Sequence, residues 1–233
     1  MTETPAALRE HHHADISGGW LRPAVFGAMD GLVTNIALIA GVGGGGVSPR
    51  NIVLTGTAGL VAGAISMALG EYTSVRSANE QLAAEVAKER RELERHPEAE
   101  ARELAQMMTA RGLPEHLATQ VAEALRDNPE QALRVHVMEE LGVNPDEQPN
   151  PWTAALSSFL CFSVGALVPL LPYLFGATSL TLALVVGGLG LFAAGAIVSR
   201  FTKRRWWTNG LRQLLLGAAA AAATYLVGML IGG

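Results

Sequence analysis

The sequence predicts an all-α membrane protein with five transmembrane helices and a charged helical insert between the second and third. The distribution of charge predicts it. No charged side chain occurs from Gln148 to Ser199, a run of 52 residues, or from Gln213 to Gly233, a run of 21. Arg50 and Glu71 bracket 20 further uncharged residues, and Pro23 to Pro49 holds a single charge, Asp30. About 20 apolar residues suffice to cross a bilayer as a helix, and the longest run has room for two crossings and a turn. Conversely, 17 of the 21 acidic residues lie between Glu71 and Glu147, so the net charge of -4 averages an apolar body and a strongly charged insert. This segregation excludes a pair of ordinary soluble domains.

The elements follow in order. Residues 1–21 are a polar N-terminal segment that lacks the apolar core of a cleavable signal peptide; the run His11-His12-His13 and a short amphipathic helix over 4–16, with Leu8 and Ile16 inward, are its features. Residues 22–73 hold the first two transmembrane helices, near 22–42 and 51–73. The glycines 43–46 with Ser48 and Pro49 make the turn between them. Residues 74–150 are the insert. Ala78 to Arg95 continues helix two out of the membrane without a stop signal, and His96-Pro97 breaks it. Pro97 then starts a helix to about Ala110. A short helix covers 115–126, and Asn128-Pro129 opens a last one over about 129–141, closed by Gly142. Residues 151–233 hold the remaining helices, near 152–174, 179–200 and 210–231, with Pro169 and Pro172 kinking the third.

Five crossings put the termini on opposite sides, and short-loop cations choose the sides. Arg22, Arg76, Arg200, Lys203, Arg204 and Arg205 fall on one face, and only Arg50 on the other. The N-terminus and the insert are therefore expected in the cytoplasm and Gly233 outside, and Lys203-Arg204-Arg205 serves as an anchor for anionic lipid in the surrounding bilayer. Cys161 is the only cysteine, so no intramolecular disulfide forms.

Two groups of residues carry chemistry. In the membrane, Asp30 is the one charge inside helix one, and intramembrane carboxylates face a pathway or a partner. Thr34 lies one turn on. Met67 and Glu71 are i,i+4 on helix two, so Asp30, Thr34, Met67 and Glu71 define a candidate polar path. The plain alternative makes Asp30 an interfacial residue and Glu71 a helix-exit charge. In the insert, Glu89 and Glu92 share a helix face, as do Glu100 and Glu103, with Met107 one turn further. His136 and Glu140 are i,i+4 on the last helix, with Met138 and Glu139 between them. Carboxylates with imidazole suit divalent first-row metals, and thioether favours softer ions. The alternative is a solvated face paired with Arg90, Arg91, Arg95 and Arg102.

Residues 28–35, Ala-Met-Asp-Gly-Leu-Val-Thr-Asn, resemble the helix-one signature of the vacuolar iron transporter family, found also in bacteria. Residues 59–72, from Gly59 through Met67 to Glu71 and Tyr72, resemble its helix-two signature, and Pro151-Trp152 with residues 162–171 its third helix. The resemblance covers nearly the whole chain from Gly19. It implies a homodimeric exporter of cytosolic Fe2+, and often Mn2+, coupled to protons, in a bacterial inner membrane. It implies a path between subunits lined by Asp30 and Met67. It also implies a cytoplasmic helical metal-binding domain that collects ions on Glu89, Glu92, Glu100 and Glu103, with further ligands from its last helix. A methionine pair followed by glutamate marks that helix in plant members; here the string is His136-Val137-Met138-Glu139-Glu140, with His136 as replacement for a thioether.

Three functions compete on these residues: an antiporter of divalent metal, a membrane-anchored sensor or buffer, and a di-iron enzyme. An anchor has no need of a mid-helix carboxylate, and the enzyme would want paired Glu-x-x-His motifs that the sequence lacks. No nucleotide-binding loop is present, and nothing points to nucleic acid as a partner.

Overall fold

The computed structural model describes residues 19–202 and 205–232; His11-His13, the 4–16 segment, Lys203, Arg204 and Gly233 lie outside the described residues. Every regular element among the described residues is helical. These are α1 (Leu21–Gly44), α2 (Pro49–Arg95), α3 (Pro97–Ala110), α4 (Glu115–Arg126), α5 (Pro129–Glu140), α6 (Pro151–Leu167), α7 (Leu171–Leu174), α8 (Leu180–Thr202) and α9 (Trp206–Gly232). Five stretches are long and apolar enough to cross a membrane: α1, the first part of α2, Pro151–Leu174, Leu180–Arg200 and α9. The chain is an all-α integral membrane protein.

Helix starts follow local chemistry. Proline occupies the first turn of α2, α3, α5 and α6, where its missing N–H costs nothing. Asn150 caps α6 by accepting from the backbone N–H groups of Trp152 (2.8 Å) and Thr153 (3.4 Å), and Asn128 accepts from Gln131 N–H to cap α5. α2 is continuous over 47 residues, or about 70 Å at 1.5 Å per residue. The hydrocarbon core takes about 30 Å, so more than half of α2 projects beyond it and forms the stem of the insert.

α1 is the central helix of the membrane part, packed on α2, α6, α8 and α9. Leu32, Ile36 and Ala40 of α1 meet Leu191 and Ala221, and Ile39 joins Ile52, Leu170, Tyr173 and Ala183. α1 and α6 approach at backbone distance. A Cβ on Gly31 would run into the Phe162 carbonyl, and one on Gly165 into the Ala28 carbonyl. Dispersion and close packing hold helices together where no hydrophobic force drives association.

Pro169 and Pro172 interrupt the third span as expected. α6 ends at Leu167, a 3-10 turn covers Val168–Leu170, and α7 resumes. Val168 N–H bonds the Gly165 carbonyl, which Pro169 cannot reach as a donor. The buried amide of Asn35 donates to the neighbouring Ala166 carbonyl, so α1 helps to satisfy the break in α6. Two boundaries differ from expectation. α1 runs to Gly44 through glycines read as turn, because Gly44 packs against Tyr225 of α9. α9 starts at Trp206 rather than near 210, because Trp206 packs edge-on against Phe192, with ring centroids 6.0 Å apart, and Gly210 meets the same ring.

Candidate metal centre

The insert brings three helices to one point. Glu89 lies in the last turns of α2, Glu100 in the first turn of α3 after the His96-Pro97 break, and His136 and Glu140 on one face of α5. One ligand atom from each of these four lies within 4.8 Å of all the others. His136 Nδ1 is the hub: Glu89 Oε1 is 3.1 Å away, Glu140 Oε1 3.5 Å and Glu100 Oε2 3.8 Å. The imidazole is 1% exposed. Neither His136 Nδ1 nor Glu89 Oε1 makes a hydrogen bond, although both are buried.

That arrangement is costly for the protein alone. Burial, reinforced by Glu140, Glu100 and Glu103, pushes the Glu89 carboxyl up to about 7. Glu100 is raised by burial and by Glu103 in the same way. Carboxylates crowded in a low-dielectric site resist joint ionisation, and unpaired buried polar atoms cost free energy. A divalent cation removes both penalties at once. One imidazole nitrogen and three carboxylate oxygens form a donor set suited to first-row divalent ions.

Two of the four arginines have other partners. Arg90 pairs with Glu130, and Arg102 donates to the Glu98 carbonyl oxygen. No arginine among the described residues forms an ion pair with Glu89 or Glu100, so the solvated-face alternative fails for these two. Glu92 and Glu103 lie close enough to repel Glu100 but stand outside the convergent group; Glu92 comes within 4.0 Å of His96, and Glu103 is exposed. Met107 is half-buried two turns beyond Glu100. Met138 is exposed, and Glu139 is taken by Arg111, whose Nε lies 2.7 Å from Oε2. Helical geometry turns Met138, two on from His136, away from the face that His136 shares with Glu140, whereas Glu139, three on, lies nearer that face and is drawn off by Arg111. Arg111 is the contributor that the sequence reading missed, since a pair 28 positions apart across two loops leaves no local pattern.

In the membrane part, Thr34 Oγ1 donates to Asp30 Oδ1 at 3.3 Å, which keeps both on one face of α1. Asp30 is half-buried and Thr34 exposed. Met67 packs beside Ala64, Phe162 and Ala166. Glu71, half-buried, stands where the uncharged part of α2 ends. Leu54, Val61, Ile65 and Leu69 leave a further face of α2 uncovered.

Comparison with known proteins bears on the whole chain. The model of the VIT family matches residues 21–229. Vacuolar iron transporter 1 of Oryza sativa subsp. japonica is 35% identical, over 97% of this chain and 92% of its own length. The vacuolar iron transporter of Acanthamoeba castellanii is 36% identical, over 97% and 84%. That of Plasmodium falciparum is 29% identical, over 95% and 85%. The matches run through all five apolar helices and the insert alike, and the chain belongs to the VIT family.

Proposed function

We propose that this protein exports divalent iron from the cytoplasm in exchange for protons, with manganese as a secondary cargo. Working as a homodimer in the plasma membrane of a bacterium, it holds its insert on the cytoplasmic side and its C-terminus outside. The observation that carries the reading is the convergence of Glu89, Glu100, His136 and Glu140 on one point. Relatives named as iron transporters support iron as the cargo, and the loop arginines support the orientation.

In this reading the insert collects the ion and the membrane helices pass it on by way of Asp30, Thr34, Met67 and Glu71. Moving two charges outward against about 100 mV costs roughly 4.6 kcal/mol. Inward proton flow supplies that, and a carboxylate that binds metal when ionised and releases it when protonated provides the coupling. The test is metal flux into liposomes with an imposed pH gradient, read beside a pH dye. Metal flux with opposite proton flux is expected. Tight metal binding without flux would make the protein a sensor or buffer instead.

A further inference from the structure

We infer that His136 sets the ion preference of the insert, ranking later first-row ions such as Fe2+, Co2+ and Zn2+ above Mn2+. The inference rests on the reading of the four-residue cluster as a metal site, and assigns the discrimination within it to one ligand.

Three of the four donors are carboxylate oxygens, whose preference among the divalent first-row ions is shallower than that of an imidazole nitrogen. Affinity rises along the series from Mn2+ to Cu2+, and imidazole nitrogen suits the later ions more than carboxylate does. Of the four, His136 therefore steepens the ranking most. Its placement also sets it among the carboxylates. The ring is buried, its Nδ1 has no hydrogen bond, and three carboxylate oxygens stand 3.1 to 3.8 Å from that atom. Coordination through Nδ1 leaves the proton on Nε2. The residue also lines a cavity of about 170 Å³, whose wall combines Leu93, Leu104 and Leu133 with Arg90, Glu94 and Arg126. Two ion pairs tie down the helix that carries it: Arg90 from α2 to Glu130 at one end, and Arg111 to Glu139 at the other. A nitrogen donor held this firmly selects by ligand type rather than by adapting its geometry.

The test uses the full-length protein in lipid nanodiscs. Mn2+ is bound to wild-type protein labelled with 15N-histidine, and pulsed electron paramagnetic resonance reads nitrogen coupling. Affinities for Mn2+ and Co2+ are then measured for wild type, His136→Glu and His136→Gln, both of which supply oxygen in place of nitrogen. A nitrogen coupling in wild type that vanishes in either folded variant is expected, with the Co2+-to-Mn2+ affinity ratio falling about tenfold. A wild type that binds metal without nitrogen coupling, or a ratio unchanged in both variants, overturns the role of His136 and leaves the metal site standing. Failure of the wild type to bind either ion would remove the site itself.

Discussion

His136 Nδ1 and Glu89 Oε1 lie 3.1 Å apart, both buried, and share no hydrogen bond. Proximity without a bond is what a pair of ligands shows when each is oriented toward a common third point. Glu100 and Glu140 complete that orientation from two other directions. The pair also spans the insert, since Glu89 belongs to the stem that rises from the membrane and His136 to the last helix before the chain returns. A metal ion held between them would join the two ends of the insert.

The pH dependence follows from Glu89. Its carboxyl titrates near 7 because of burial and the neighbouring carboxylates. Its raised value contributes stability to the metal-free protein that is complete below the ordinary carboxylate range and is lost as pH rises through about 7. Metal reverses the trend, because binding needs the ionised form. Affinity should therefore fall by roughly tenfold per pH unit below 7 for the proton displaced from Glu89. Calorimetry on the full-length protein between pH 5.5 and 8 measures this; a flat profile would mean that Glu89 is no ligand.

The Arg111–Glu139 pair offers a test of how α5 is held. Glu139 is mostly buried while Arg111 is largely exposed, so losing the arginine leaves a carboxylate beside the acidic cluster. Arg111→Ala should lower the stability of the insert by about 1 kcal/mol, above the usual worth of an exposed pair. Glu139→Gln in the same chain should recover most of it. A double-mutant cycle from thermal unfolding gives the coupling, and additive losses would show that the pair does nothing for α5.

Much of this architecture is legible in the charge pattern. The uncharged runs between Arg50 and Glu71 and from Gln148 to Ser199 fix the spans, because hydrocarbon tolerates few alternatives. Pro97, Pro129 and Gly142 mark the insert helices, since proline and glycine act through local backbone chemistry. The spacing of Glu89, Glu100, His136 and Glu140 gives their faces. Which of the nearby donors converge does not follow from spacing, however. That depends on how α5 docks, which it does through its buried Ala132, Leu133 and Val137 and through Arg90 and Arg111, whose partners lie 40 and 28 positions away. The early start of α9 at Trp206 was hidden for the same reason, because its partner Phe192 belongs to another helix.

Glycines in the spans separate into those that packing requires and those that it does not. Gly165 faces the Ala28 carbonyl with no room for a side chain, whereas a Cβ on Gly70 meets nothing within 4 Å. Gly165→Ala should force α1 and α6 apart at a cost of about 1–3 kcal/mol. Gly70→Ala should be neutral or stabilising by up to about 1 kcal/mol through helix propensity. Thermal unfolding in detergent compares the two, and equal effects would refute the close α1–α6 contact.

The decisive substitution for transport is at Asp30. Its carboxylate accepts from Thr34 within the same helix and stays half-buried, so Asp30→Asn keeps the shape and an acceptor oxygen for Thr34. The fold and metal loading at the insert should survive. An amide cannot take up and release protons, and it is a weaker neutral ligand. If the ion passes Asp30, coupled flux should fall by more than tenfold, in line with the cost of losing a charge-compensating ligand inside a membrane. Met67→Ala should be milder, because a thioether tunes preference and carries no charge. Metal uptake into liposomes, recorded with an internal pH dye for both variants, separates the steps. Coupled flux at the wild-type rate from a folded Asp30→Asn protein would take this residue out of the path and leave the membrane helices as an anchor for the insert.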